Sequence, residues 1–304
     1  MHLFSPLLLG QARSPNRIVL NALPSGQAGV DGTANDALIA WYDARARGGV
    51  GTIILEAAWP LRPQHAGTPH LGLYDDAFIP GLSACVERLH RSGSCVIVMI
   101  DQPLHTLPMA EAELRGLRAA WVAAASRAYA ARADGMMLSC ADSGPFHELI
   151  SPLTNTRTDT YGGSLENRTR LLLEVTERLH TRFGARAFIS LKLLVEEFTP
   201  GGVTLQDARV IARRLTGAGV RLIEAYAVAE GATHVAHFPG WQVPLAASLR
   251  TIADVPVLVG GLSDDPELAD SIIRDHSADM VALGDVLCDE PDWPMRARLA
   301  LRET

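Results

Sequence analysis

Eight short apolar runs recur along the chain, each followed by a polar or glycine-rich loop and then a helical pattern. They are Arg17–Leu23, Gly51–Glu56, Val96–Asp101, Gly135–Ser139, Phe188–Leu193, Leu222–Tyr226, Val255–Val259 and Met280–Leu283. A strand with one solvated face alternates apolar and polar residues, whereas a strand covered on both faces does not. These near-continuous runs predict a parallel sheet sheathed by helices, and eight such units predict closure into an α/β barrel, the (β/α)8 TIM barrel. The 304 residues fit one such barrel spanning 1–304.

Helix punctuation agrees. Asn35 or Asp36 can cap a helix over Ala37–Arg47, which Gly48-Gly49 ends, and a similar helix follows Asp76. Further helices fit Ala110–Ala133, Ser164–Phe183, Thr204–Ala218 and Asp265–Asp275. The sizeable irregular stretches are Trp59–Tyr74, Ser143–Gly163 and Val228–Gln242. All three follow strands, on the side where such barrels carry their active sites.

Composition narrows the function classes. A net charge of −7 offers no basic surface for a phosphate backbone, so no nucleic-acid partner is expected and a small-molecule substrate is favoured. The four cysteines, Cys85, Cys95, Cys140 and Cys288, have no C-x-x-C spacing, against a zinc ribbon or iron–sulfur site. Gly10 and Gln11 interrupt the apolar patch Leu7–Leu9 before a signal-peptide core forms, and no run reaches the roughly 20 apolar residues of a membrane helix. No membrane partner is expected, and the cytoplasm is the default location. A homo-oligomer stays open, because apolar helix faces serve barrel packing and dimer contacts alike.

Three segments carry a family resemblance: Asn16–Val19, Leu38–Ala57 and Ser151–Arg170, the last reading SPLTNTRTDTYGGSLENRTR. Together with VPVLVGGL and ADMVALGDVLCDEP, the chain from about residue 3 to 297 resembles the Old Yellow Enzyme, or NADH:flavin oxidoreductase, family. Within it the chain is most similar to the branch of trimethylamine dehydrogenase and dienoyl-CoA reductase, but only to their barrel part. On the residues alone, the Ser151–Arg170 motif reads as scaffold, with a turn at Gly162-Gly163 and a helix cap at Ser164.

The resemblance implies FMN at the carboxyl ends of the strands, with NAD(P)H as reductant. Gly260, Gly261 and Gly284 fall where loops after the last two strands would cradle the phosphate. Leu23, Pro24 and Ala57 fall where backbone groups meet the flavin ring, and Lys192 keeps a cation for its pyrimidine edge. Two positions depart from the pattern: Met99 replaces a glutamine, and Asp285 replaces the arginine beside the phosphate. A carboxylate about 4 Å from a phosphate adds repulsion of a few kcal/mol at an effective dielectric of about 20.

The substrate-binding pair of histidines and the tyrosine proton donor correspond to Ser139, Asp142 and Gly144. A serine hydroxyl still donates a hydrogen bond, whereas an ionised aspartate only accepts. Asp142 suits anchoring a cationic amine or acting as a general base. Asp101, Gln102, His105, His147 and Glu148 add titratable or polar groups to the same mouth. His234-x-x-His237 with Glu230 lies on a glycine- and proline-rich loop with no further ligand to complete a site, so no metal is expected. Two functions follow. The first is hydride transfer between FMN and a small organic substrate. The alternative is a barrel without flavin doing redox-neutral isomerisation, elimination or cyclisation, with Ser139, Asp142 and Lys192 as its catalytic groups.

Overall fold

The computed structural model describes residues 1–63, 67–141, 144–227 and 238–303. Its strands are β1 (Leu7–Leu9), β2 (Ala12–Ser14), β3 (Ile18–Leu20), β4 (Thr52–Trp59), β5 (Leu71–Gly72), β6 (Cys95–Ile100), β7 (Gly135–Cys140), β8 (Ile189–Glu196), β9 (Val220–Ala227), β10 (Val257–Val259) and β11 (Met280–Ala282). The eight predicted runs are β3, β4 and β6 to β11. They lie parallel in the order β3-β11-β10-β9-β8-β7-β6-β4, and β3 pairs back onto β4, which closes the barrel. The short β5 adds to the side of β4.

Burial on both faces explains the runs. Along β6, Ile97 and Met99 point into the barrel while Val96, Val98 and Ile100 pack under the helices. The axis holds Val19, Ile54, Ile97, Met137, Leu222, Leu258 and Met280 in contact, so the lower barrel is a solid apolar core.

The floor of that core was not legible in the sequence. Leu7–Leu9 is the first arm of a hairpin, and Gly10-Gln11 is its turn. Leu9 inserts among the axial residues beside Phe188. Gly10 adopts φ +63°, and a Cβ there would come within 3.0 Å of the Phe188 ring, so the turn needs glycine for both reasons. Thr52 Oγ1 donates to Ser14 Oγ at 2.9 Å and ties the hairpin to β4.

The sheath comprises α1 (Asp36–Arg47), α2 (Ile79–Arg91), α3 (Glu111–Ala130), α4 (Pro145–Ile150), α5 (Leu165–Arg168), α6 (Arg170–Phe183), α7 (Leu205–Ala218), α8 (Val243–Arg250), α9 (Pro266–Arg274), α10 (Asp285–Asp289) and α11 (Trp293–Glu303). Asn35 caps α1 by accepting from the Leu38 N–H, and Thr204 caps α7 through a box with Asp207. The helix expected over Ser164–Phe183 breaks at Thr169. Its hydroxyl donates to the carbonyls of Leu165 and Glu166, the back-bonding that bends helices. The stretch Ser143–Gly163 is less irregular than expected: α4 starts at Pro145, whose fixed φ suits a first helical turn. Among the described residues no helix is long and apolar enough to cross a membrane.

Truncating the floor tests this architecture. Leu9→Ala leaves a cavity at the base of the axis and is expected to lower unfolding stability by about 2–4 kcal/mol. A urea titration checks it; a loss below about 0.5 kcal/mol would mean that the hairpin does not plug the barrel.

Candidate active site at the barrel mouth

At the carboxyl end of β4 the strand slips phase. Leu55 pairs with Val98 but Ala58 with Ile100, so β4 carries one extra residue, a β-bulge. Ile54 and Ala57 consequently face the axis together, while Leu55 and Ala58 pack outward. The bulge turns Glu56 away from the axis to the loop after β3, where Oε2 accepts from the Ser25 N–H at 2.6 Å. Burial raises the Glu56 carboxyl above its ordinary range, with the Ser25 bonds opposing. Among the described residues its Oε1 makes no hydrogen bond. Glu56 therefore ties the loop after β3, at Ser25 next to Leu23-Pro24, to the strand segment that carries Ala57.

Above the apolar core the axis becomes polar. Ser139 and Lys192 are register partners on β7 and β8, and Lys192 and Glu224 are partners on β8 and β9. All three are buried, Lys192 to 5% and Glu224 to 1% exposure. Lys192 Nζ lies 4.2 Å from the centre of the Tyr226 ring, a cation–π contact. Glu224 Oε1 accepts from Asn21 Nδ2 at 3.1 Å. Two other acids near the strand ends are engaged by backbone: Glu56 accepts from the Ser25 N–H, and Glu196 from the N–H groups of Phe198 and Leu205. Met99 faces the same axis with no polar atom to offer a ligand. Among the described residues Ser139 Oγ makes only long contacts, 3.4 Å, with the Ala141 backbone.

Sequence reasoning passed over Asn21 and Glu224. The available signal was an acid in the middle of the otherwise apolar run Leu222–Tyr226. Asp142 lies outside the described residues, as do Glu230, His234 and His237. Among the described residues no trio of His, Cys, Asp or Glu is placed to hold a metal ion.

The Ser151–Arg170 motif builds one wall. The Arg157 guanidinium donates to the carbonyls of Thr106, Leu107 and Met109 at 3.1, 3.0 and 2.7 Å and pairs with Asp159. Glu148 accepts from the Thr106 N–H and hydroxyl and from His105. Burial would raise its carboxyl, but those bonds outweigh it and hold Glu148 below its ordinary range. Ser151 Oγ donates to Glu197, and Asn155 Nδ2 to the carbonyls of Leu149 and Tyr161. The motif's polar groups thus brace the loop after β6 against the loop after β7. That braced loop borders a groove of about 580 Å³, lined by Trp59, Gln102, Leu104, His105 and Met109 among others, beside the mouth. A larger groove of about 1070 Å³ lies on the outer faces of α3 and α6, away from the strand ends.

The loops after β10 and β11 form the remaining rim. Gly261 has φ +73°, and a Cβ there would come within 2.9 Å of Gln242 Nε2; a Cβ on Gly284 would meet Leu23 Cδ1 at 2.7 Å. Gln242 is fixed by the Ala227 N–H, which donates to its Oε1 at 3.2 Å. Asp285 opens the short α10 directly after Gly284. The rim supplies close backbone approach, as a phosphate cradle requires, but its one strategic side chain is an acid.

Five matches relate this chain to known proteins. The model of the NADH:flavin oxidoreductase / NADH oxidase family matches residues 2–109 and 101–303. The chain is 32% identical to an NADH oxidase of Thermoanaerobacter brockii over 98% of its own length and 50% of that protein's. It is also 32% identical to an NADPH dehydrogenase of Halalkalibacterium halodurans, covering 99% of this chain and 95% of the relative. Among solved structures, a 2-naphthoyl-CoA reductase complex superposes with a TM-score of 0.90 at 19% identity, over 98% of this chain and 52% of that one. The old yellow enzyme homologue from Zymomonas mobilis gives 0.81 at 24%, over 98% and 92%. These structural likenesses establish the barrel, while the family match and the two sequence relatives reach from its floor hairpin to its last helix. The chain spans about half the length of the NADH oxidase and nearly all of the NADPH dehydrogenase, and it belongs to the NADH:flavin oxidoreductase / NADH oxidase family.

Proposed function

We propose that the chain works as a single barrel, residues 1–304, and is a flavin-dependent oxidoreductase. FMN binds at the mouth, NADH or NADPH reduces it, and hydride passes between it and a small organic substrate. The observation that supports this reading is that Ala57 and Lys192 lie on axial positions of their strands, while Glu56 ties the loop that carries Leu23 and Pro24 to β4 through Ser25.

The ring end of this space fits a flavin. Backbone at Leu23, Pro24 and Ala57 offers hydrogen-bonding groups that do not depend on side chain, and Lys192 offers positive charge. When bound, the flavin supplies two-electron hydride acceptance and donation. The chain's residues do the rest. Lys192 stabilises negative charge at the pyrimidine edge of the ring, inside a dry site where such an interaction is stronger than in water. Met99 adds no hydrogen-bond donor of its own there. Ser139 can donate to a substrate carbonyl, and Asp142 either anchors a cationic amine or takes a proton. The groove beside Trp59 and Leu104 gives the substrate a mostly apolar approach. At the phosphate end, Gly260, Gly261 and Gly284 allow backbone contact, with Asp285 adjoining. No observation favours the redox-neutral alternative. The four cysteines are free thiols, as a reducing cytoplasm requires, and we place the protein there.

The reading makes two measurable claims. Purified protein, loaded with FMN and desalted, should keep a flavin absorption band and release FMN on denaturation. Lys192→Met should weaken FMN binding about 10- to 100-fold in a fluorescence titration, the equivalent of a lost charge-assisted hydrogen bond. A colourless protein whose titration quenches no flavin fluorescence would remove the redox assignment. Separately, Asp142→Asn should cut turnover of the loaded enzyme severely while circular dichroism and FMN affinity stay unchanged. Undiminished turnover would take Asp142 out of the chemistry.

A further inference from the structure

Barrels of this type hold phosphate in the loops after the last two strands and at the start of the short helix that follows. In this chain that rim is electrostatically inverted. The loop after β10 reads Gly260-Gly261-Leu262-Ser263-Asp264-Asp265, and the segment after β11 runs Leu283-Gly284-Asp285 into Asp289 and Glu290, without one lysine, arginine or histidine. Among the described residues, Arg296 on α11 reaches these segments and is already neutralised. It pairs with Asp264, and its Nε and second terminal nitrogen donate to Glu290 at 2.6 and 2.8 Å. Arg45, on the far side of α10, donates to the carbonyls of Trp41 and Cys288. Among the described residues Asp285 itself has no ion-pair partner within 4 Å. Asp285 is exposed at the first position of α10, directly after Gly284, so it adds an unneutralised negative charge to the same loop end.

We propose that Asp285 is a specificity-determining residue that cancels the contribution of the cofactor's phosphate, so that this barrel recognises a flavin by its ring and binds riboflavin about as tightly as FMN. The neutral donors left at the rim are backbone N–H groups at the three glycines and the amide of Gln242. They tolerate a hydroxyl as readily as a phosphate oxygen. This rests on the flavin reading above, and it concerns only the tail of the ligand.

The test compares riboflavin and FMN in parallel fluorescence-quenching titrations of the full chain. The expected dissociation constants agree within about threefold, and added salt tightens FMN but not riboflavin, because salt screens like-charge repulsion. Asp285→Arg is expected to tighten FMN at least tenfold and leave riboflavin unchanged. Asp285→Asn, which keeps the shape and removes the charge, shifts FMN in the same direction by less. Wild-type protein that prefers FMN tenfold or more, or variants that move both ligands equally, would overturn the proposal while leaving the flavin reading intact. Quenching by neither ligand would instead overturn the flavin reading, and the proposal with it.

Discussion

Closing parallel strands into a ring sends every second side chain of each strand to a shared axis, and that constraint organises the rest of the molecule. Low on the axis the side chains are Leu9, Ile97, Met137, Leu222 and Leu258, which fill the space as a core. A charge placed there would cost far more than any contact returns. Among the described residues the charged axial groups, Lys192 and Glu224, lie toward the carboxyl ends beside Ser139, where a ligand or water can complete their solvation. The functional face is thus set by where the barrel can tolerate charge.

The second determinant is how firmly the loops at that face are held. A β-bulge, a buried carboxylate and a guanidinium divide this task. The bulge in β4 aims Ala57 inward, Glu56 pins the loop after β3, and Arg157 gathers three carbonyls of the loop after β6. None of these groups is required to touch a substrate. Their placement explains why a twenty-residue motif can identify a family without holding its catalytic residues.

The fold was largely legible because burial on both faces leaves a strong trace: all eight apolar runs proved to be barrel strands. What escaped was local. Leu7–Leu9 is too short for a pattern to reveal that Leu9 closes the floor, and helix α4 is hidden in a polar stretch whose only marker is Pro145. At the site, Lys192, Met99 and Ala57 could be placed by alignment to the family pattern, and the structure does bring them to one axis. Glu224 and Asn21 escaped because a hydrogen bond across the barrel joins residues about two hundred positions apart, and no sequence period encodes that. The role of Glu56 escaped as well. The bulge that turns it away is invisible in a run that reads simply as apolar.

The central claim is that the axial space bounded by Ala57, Lys192 and the Leu23–Pro24 backbone is a flavin-ring site. A crystal structure of the protein soaked in excess FMN measures this directly. The account predicts ring density against those backbones, with its pyrimidine edge toward Lys192 and a poorly ordered tail near Asp285. Density showing that space filled by protein side chains, or a ring bound elsewhere, would contradict it.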